Sequence, residues 1–326
     1  MQWTTSFEIP SYPNLVSYED KILSMGSCFA ESMGKRMQDS KFDIVINPFG
    51  TIFNPIAIQR LLKMALDSSS FPENLYLERE AMHFHYLAHS QVMGYSIEEL
   101  RGKLSGELSL TKDYLENGNL LILTFGTAWI YELVESGEQV ANCHKQPGNL
   151  FKKRLLSLEE MTDALTSTIS EISEINPHLK LILTVSPVRH IKDGVPENQL
   201  SKSLLRVLCG NLEKQFEQVH YFPSYEIMVD ELRDYRFYKP DLIHPTEQAE
   251  EYIWEKWKTS LFTKETQNLF DQIKSVNLDL AHRPLNPKSE AHQKFLRNLK
   301  GKLERLNDQF DFSSELEKVT TELSNF

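Results

Sequence analysis

The chain has 326 residues, 40% of them hydrophobic and 25% charged, with a formal net charge of −11. That length can bury one large core, or one core with an appendage. The acidic balance excludes a protein that tracks phosphates through basic patches. Three scattered cysteines, Cys28, Cys143 and Cys209, form no disulfide framework and suit a reducing compartment.

The N-terminal stretch "MQWTTSFEIPSYPNLVSYED" lacks a basic start followed by an apolar core. No apolar run approaches the roughly 18 residues that suggest a membrane span. A cytoplasmic protein with no membrane and no nucleic-acid partner is therefore expected.

In chain order, "KILSM" (21–25) predicts a first strand, followed at once by "GSCFA" and a helix over 28–39. "FDIVIN" (42–47) predicts the second strand, and "NPIAIQRLLKMAL" the helix after it. Residues 68–118 form an insertion, in which the alternation of "AMHFHYLAHSQVMGYS" predicts a strand or hairpin. "LLILTF" (120–125) is the third strand, and "AWIYELVESGEQVANCH" reads as a hairpin turning near Ser136 and Gly137. A helix over "SLEEMTDALTSTISEIS" opens with Ser157 and Glu160 as a capping box. Then follow "LKLILTV" (179–185), the helix "NQLSKSLLRVLCGNLEKQF" and the fifth strand, "VHYF" (219–222).

Most of these strands are continuous apolar runs, as expected where both faces of a sheet are covered. Strand–helix alternation implies a mainly parallel sheet with right-handed crossovers, giving a three-layer α/β/α sandwich of about five strands. Beyond this body (1–262) the composition turns polar. Leu296, Leu299, Leu303, Leu306 and Phe310 recur at three- and four-residue steps, interrupted earlier by "HRPLNP" at 282–287. Residues 263–326 therefore read as an amphipathic helical extension that packs on the body or against a second copy of the chain.

In an open α/β sheet, ligands gather at the carboxyl ends of the strands. "GSCFA", "NPFGTIFNP", "FGTAWIY", "SPVRH" and "FYKPDLIHPTEQAEEYIWEKW" all fall at such ends. Ser27 in the first of them suits a nucleophile, or simply the cap of the next helix. A serine hydroxyl needs a base beside it. Asp241 and His244 sit three apart in a proline-bounded loop, where the aspartate would orient the ring and the histidine would take the serine proton. Cys28 is a rival nucleophile at a helix start, although its side chain, one position later, is expected to point elsewhere.

A serine after the first strand with a late D-x-x-H resembles the SGNH (GDSL-type) hydrolase superfamily. The literal "GSCFA", with "NPFGTIFNP", "FGTAWIY" and "NCHK" in the same order, resembles the GSCFA family, a branch of it. The resemblance spans about residues 20–260 and implies an SGNH-hydrolase-like, flavodoxin-like sheet. By it, Ser27 is the nucleophile and its own N–H one oxyanion donor, with Gly50 of "NPFG" supplying another. Loss of one such donor costs about 2.7–4 kcal/mol of transition-state stabilisation. The third block departs from the superfamily's G-x-N-D: this chain reads Gly126-Thr127-Ala128-Trp129, so Ala128 replaces the expected amide. Asn142, returned by the hairpin, and Thr127 are the candidate substitutes, with Asn142 favoured.

His83, His85 and His89 would share one face of a strand over 81–89. With no H-E-x-x-H and no paired C-x-x-C, no metal is expected, and these rings read as cleft or sheet packing. Asn47 and Asn54 read as turn-formers. His144 in "NCHK" and His190 in "SPVRH" are candidate contacts to a polyhydroxylated or anionic substrate. Together these imply an esterase of small-molecule or glycan esters that needs no cofactor. The alternatives are an O-acyltransferase with the same triad, or a binding protein on a degenerate hydrolase fold. A homo-oligomer through the helical extension is a further expectation.

Overall fold

The computed structural model describes residues 5–12 and 15–324. Residues 1–4, 13–14 and 325–326, the last pair closing the expected extension, lie outside it. In chain order the body runs β1 (Lys21–Gly26), α1 (Cys28–Asp39), β2 (Asp43–Ile46) and α2 (Pro55–Leu66). A hairpin of β3 (Tyr76–Arg79) and β4 (Met82–His85) precedes α3 (Ile97–Asn117) and β5 (Leu120–Phe125). Strands β6 (Trp129–Leu133), β7 (Gln139–Val140) and β8 (Phe151–Leu155) come next, then α4 (Leu158–Ile175), β9 (Lys180–Val185) and α5 (Val195–Gln215). The body closes with β10 (Val219–Tyr221), the single turn α6 (Ser224–Glu226) and α7 (Glu247–Leu261). Helices α8 (Lys264–Ala281), α9 (Glu290–Asn307) and α10 (Ser313–Ser324) form the extension.

Five parallel strands build the central sheet in the order β10–β9–β5–β1–β2. Taken by chain order within the sheet this is 2-1-3-4-5, whose switch point lies between β1 and β5. Alternate residues feed two cores: Leu121, Leu123 and Phe125 of β5 face one side with α2–α5, while Leu120 and Ile122 face the other with α1 and α7. Two-sided burial explains why these strands are unbroken apolar runs. The capping box at Ser157 is formed as expected, with both reciprocal bonds present.

The hairpin of β6 and β7 is present, and β8 adds a third strand on the other side of β6, which the sequence reading did not assign. In the insertion, β4 pairs with β3 through a turn at Glu80 and Ala81, both at positive φ. That turn lacks the Asn-Gly signal such geometry usually carries. The strand ends at His85, so His89 does not share a strand face with His83 and His85. The second half of the insertion is α3, capped by Ser96 and burying Leu100, Leu104, Leu108 and Leu115, where no element was expected.

The leucine stripe of the extension is buried within the chain. Leu296, Leu299, Leu303 and Leu306 of α9 pack with Ile273 and Val276 of α8 and with Phe312 and Val319. Tyr18 links this cluster to the body, its ring 4.1 Å from Phe42 and 4.7 Å from Phe310. No helix among the described residues is long and apolar enough to cross a membrane.

Candidate active site

Strand β1 ends on Gly26, whose backbone, at a φ of 151°, presses against β5: an added Cβ would sit 2.3 Å from the Thr124 carbonyl oxygen. Only glycine allows that approach. It delivers Ser27 to the first turn of α1, where its Oγ accepts from the Phe29 N–H over 3.2 Å as the helix cap. The cap and the candidate nucleophile are thus one oxygen, at the positive end of a helix dipole. Ser27 is 1% exposed, and its hydroxyl donates to Ser186 Oγ over 2.9 Å, at the end of β9.

Asp241 and His244 form the expected pair. Asp241 Oδ2 lies 2.7 Å from His244 Nδ1, while Oδ1 accepts from the N–H groups of Ile243 and His244 at 2.9 and 3.0 Å. A carboxylate can only accept, so Nδ1 carries the ring proton and Nε2 presents a lone pair. The bond from the ring, then the two backbone bonds, hold the Asp241 carboxyl down at about 2. The loop itself is pinned: Arg189 N–H donates to Ile243 O (3.1 Å) and its guanidinium to Leu242 O (3.0 Å).

Ser27 and His244 line one cleft of about 420 Å³, together with Phe53, Thr127, Trp129, Asn142, Arg189 and His190. The hydroxyl of Ser27 bonds to Ser186 and not to His244, so the three residues share a site without a closed hydrogen-bond chain. Across the cleft, Lys153 stands 5.3 Å from the ring centres of both Trp129 and Tyr131 and pairs with Asp193.

The remaining candidates divide. Asn142 is at the cleft wall, and its Oδ1 accepts from the His144 N–H over 2.8 Å. That bond fixes the amide's orientation and leaves Nδ2 with no acceptor among the described residues. Thr127 also lines the cleft, but its Oγ1 accepts from Trp129 N–H (3.1 Å) and meets Ser201 Oγ at 3.0 Å, which ties down its own loop. His190 lines the cleft, its ring 5.1 Å from Phe53, and its Nε2 is buried with no hydrogen-bond partner among the described residues. Burial, then the charges of Lys202, His244 and Lys153, push His190 down to about 3, so the ring is neutral.

Three expectations are corrected. The Ser27 N–H donates to Thr124 O at 3.2 Å and is spent within the sheet. The Gly50 N–H turns back to Asn47 O at 2.7 Å, and Gly50 lies outside the cleft. Its positive φ of 74° and its closeness to His89, 2.4 Å from a would-be Cβ, explain the glycine instead. His144 is 1% exposed, bonded to Ser90 Oγ at 3.0 Å and His85 O at 2.9 Å, and faces no substrate space. Asn47 and Asn54 are structural: Asn47 Oδ1 accepts from Gly26 N–H and Asn54 caps α2. Among the described residues, no three His, Cys, Asp or Glu side chains converge as a metal site. Cys28 and Cys143 reach the cleft, and burial pushes both thiols up, which disfavours thiolate chemistry.

Sequence reasoning missed Ser186 and Lys202. Lys202 lies on the stripe Asn198, Ser201, Lys202, Leu205, Leu208, Cys209, Leu212 that α5 buries, and that periodicity was the available signal.

No curated protein matches the chain. Residues 273–325 match the profile described as GSCFA domain protein, C-terminal domain. Residues 21–257, from the first residue of β1 into α7, match that of the GSCFA family, and the chain belongs to that family.

Proposed function

We propose that the protein is a serine-dependent ester hydrolase of SGNH type. The observation that carries this reading is the Asp241–His244 pair, joined at 2.7 Å, whose histidine stands on the wall of the cleft that holds Ser27 at a helix N-terminus. Ser27 attacks the ester carbonyl after its O–H turns from Ser186 toward His244. His244 Nε2 takes the proton and returns it to the leaving alcohol, and Asp241 stabilises the imidazolium. Water then releases the acyl-enzyme. Asn142 Nδ2, which meets no acceptor among the described residues, supplies an oxyanion bond, in place of Gly50 and the Ser27 N–H. No step calls for a cofactor. Trp129 and Tyr131 offer flat faces that suit a sugar ring, which supports a small acyl group carried on a carbohydrate.

One observation favours a second reading. Both backbone donors expected for an oxyanion are spent inside the chain, and Ala128 stands where an amide is usual, as in a binding protein on a hydrolase scaffold. Turnover of short-chain p-nitrophenyl esters by wild type, Ser27→Ala and His244→Ala separates the two. Turnover lost in both variants is expected; equal rates in all three would leave only binding. Product formed on added alcohols would turn the hydrolase into an acyltransferase with the same residues.

A further inference from the structure

Two hydrogen bonds from Ser27, through Ser186, lies a lysine that the proposed chemistry does not use. Lys202 is 1% exposed, does not line the cleft, and donates from Nζ to the Ser186 carbonyl oxygen over 2.6 Å. The same Ser186 receives the Ser27 hydroxyl on its Oγ at 2.9 Å and the Val188 N–H at 3.3 Å. Two bonds therefore connect a buried amine to the candidate nucleophile through one residue.

An isolated buried ammonium is costly, and such groups are normally paired. Around Lys202 the facing groups are Cys28 from α1, His190 from the loop before α5, the Tyr225 ring 5.6 Å away, and the Ser186 carbonyl. None is a carboxylate. A methionine would fill the space more cheaply, so the amine's presence calls for a role that methionine cannot perform.

We propose that Lys202 is a positioning residue for Ser27: through the Ser186 carbonyl it fixes the hydroxyl that meets Ser27 Oγ, and it places a positive charge two hydrogen bonds from the nucleophile. The inference rests on the reading of Ser27 as nucleophile. At rest the Ser27 O–H points at Ser186. Once that proton has gone to His244 Nε2, the Ser186 hydroxyl rotates its own proton toward Ser27 Oγ, where alkoxide character is building. The bond forming is Oγ to acyl carbon, and the electron pair displaced is the carbonyl π pair. Lys202 and Ser186 keep their protons throughout. The charge acts only while Lys202 is protonated, and burial pushes this amine down to about 7, with the Cys28 thiol opposing.

The test is the rate of fluorophosphonate labelling at Ser27, followed by mass spectrometry from pH 6 to 9 in wild type, Ser186→Ala, Lys202→Met and Ser27→Ala. The expected result is labelling of wild type that slows above neutrality. In Lys202→Met, labelling should be ten-fold or more slower and should not slow further above neutrality. Ser186→Ala should also be slowed, which keeps the proposal exposed if the lysine variant fails to fold. A merely structural lysine would change melting temperature and leave the pH profile alone. Labelling of Lys202→Met at the wild-type rate, with the wild-type profile, would overturn the proposal and leave the nucleophile standing. Failure of wild type itself to label at Ser27 would overturn both.

Discussion

Asp241 holds His244 in a single tautomer, with Oδ2 2.7 Å from Nδ1. In Asp241→Asn the amide oxygen can still take the two backbone N–H bonds at Oδ1, so the loop keeps its shape. An NH₂ group then faces Nδ1 and forces the proton onto Nε2, the wrong nitrogen for a base. The expected result is a loss of about 10³–10⁴ in kcat. Because Asp241 is an exposed loop residue, the melting temperature should barely move. Parallel ester assays and thermal melts check both halves.

Ser27 carries two roles that different substitutions can separate. Ser27→Ala and Ser27→Gly should both abolish ester turnover. Alanine at a helix cap costs about 1 kcal/mol, glycine only a few tenths. Both lose the bond to Ser186, so the alanine variant should be the less stable of the two in urea titrations. Equal stabilities would show that the cap contributes nothing here.

Gly50 is a packing residue by geometry, so Gly50→Ala is a stability mutation. The new Cβ would lie 2.4 Å from His89 Cβ, at a φ of 74°. Backbone strain alone is worth about 1–3 kcal/mol, and the overlap adds to it. The expected result is a fall of several degrees in melting temperature with kcat within a few-fold of wild type. Combining it with His89→Gly should recover the overlap but leave the strain.

Two buried histidines set an acid limit. His85 accepts from the Leu87 N–H at Nδ1 (3.1 Å) and so donates from Nε2 to Pro72 O (3.1 Å), while His144 bridges Ser90 and the His85 carbonyl. Burial, the largest influence on each, pushes both down from 6.5 to about 4. Between those values the unfolded chain binds more protons than the folded one, so stability is full above about pH 6.5 and falls as the pH drops toward 4. These two rings together should contribute at most about 2.7 kcal/mol per pH unit, and His190, held down by burial in the same way, adds to the slope. Urea titrations at pH 7, 6 and 5 measure it, and His144→Asn should lower it by up to about 1.4 kcal/mol per pH unit.

The parts of this fold readable from sequence were those in which one local pattern had one meaning. Leu120 to Phe125 is apolar throughout because both faces are covered, and Ser157 with Glu160 can hardly be other than a helix start. The reading failed where the third dimension decides. Strand β8, "FKKRL", carries charge because one face of the three-stranded sheet is wet, so it lacks the apolar run. The residue types of Ser27, Asp241, His244, Asn142, Thr127 and His190 announced themselves, and all but Asp241 border one cleft. The direction of a backbone N–H does not show in a letter. Gly50 sits in a motif at the right strand end, yet the turn from Asn47 to Gly50 spends its N–H on the Asn47 carbonyl. His144 follows Asn142 by two residues, yet its ring is buried against Ser90 and the His85 carbonyl and does not line the cleft.

Helix α8 belongs to two cores at once. Phe270 packs 5.5 Å from Trp254 and 6.3 Å from Phe262, inside the body, while Ile273 and Val276, less than two turns later, lie in the extension's cluster. The seam between the family's two matched regions, residues 258–272, spans the end of α7, the join at 262–263 and the first half of α8, and α8 ties the two cores together across it. Cutting the chain after residue 262 would bare the aromatic face beneath Phe270 and leave it prone to stick to its own kind. Both regions should melt in one cooperative step, the loss of either loosening the other.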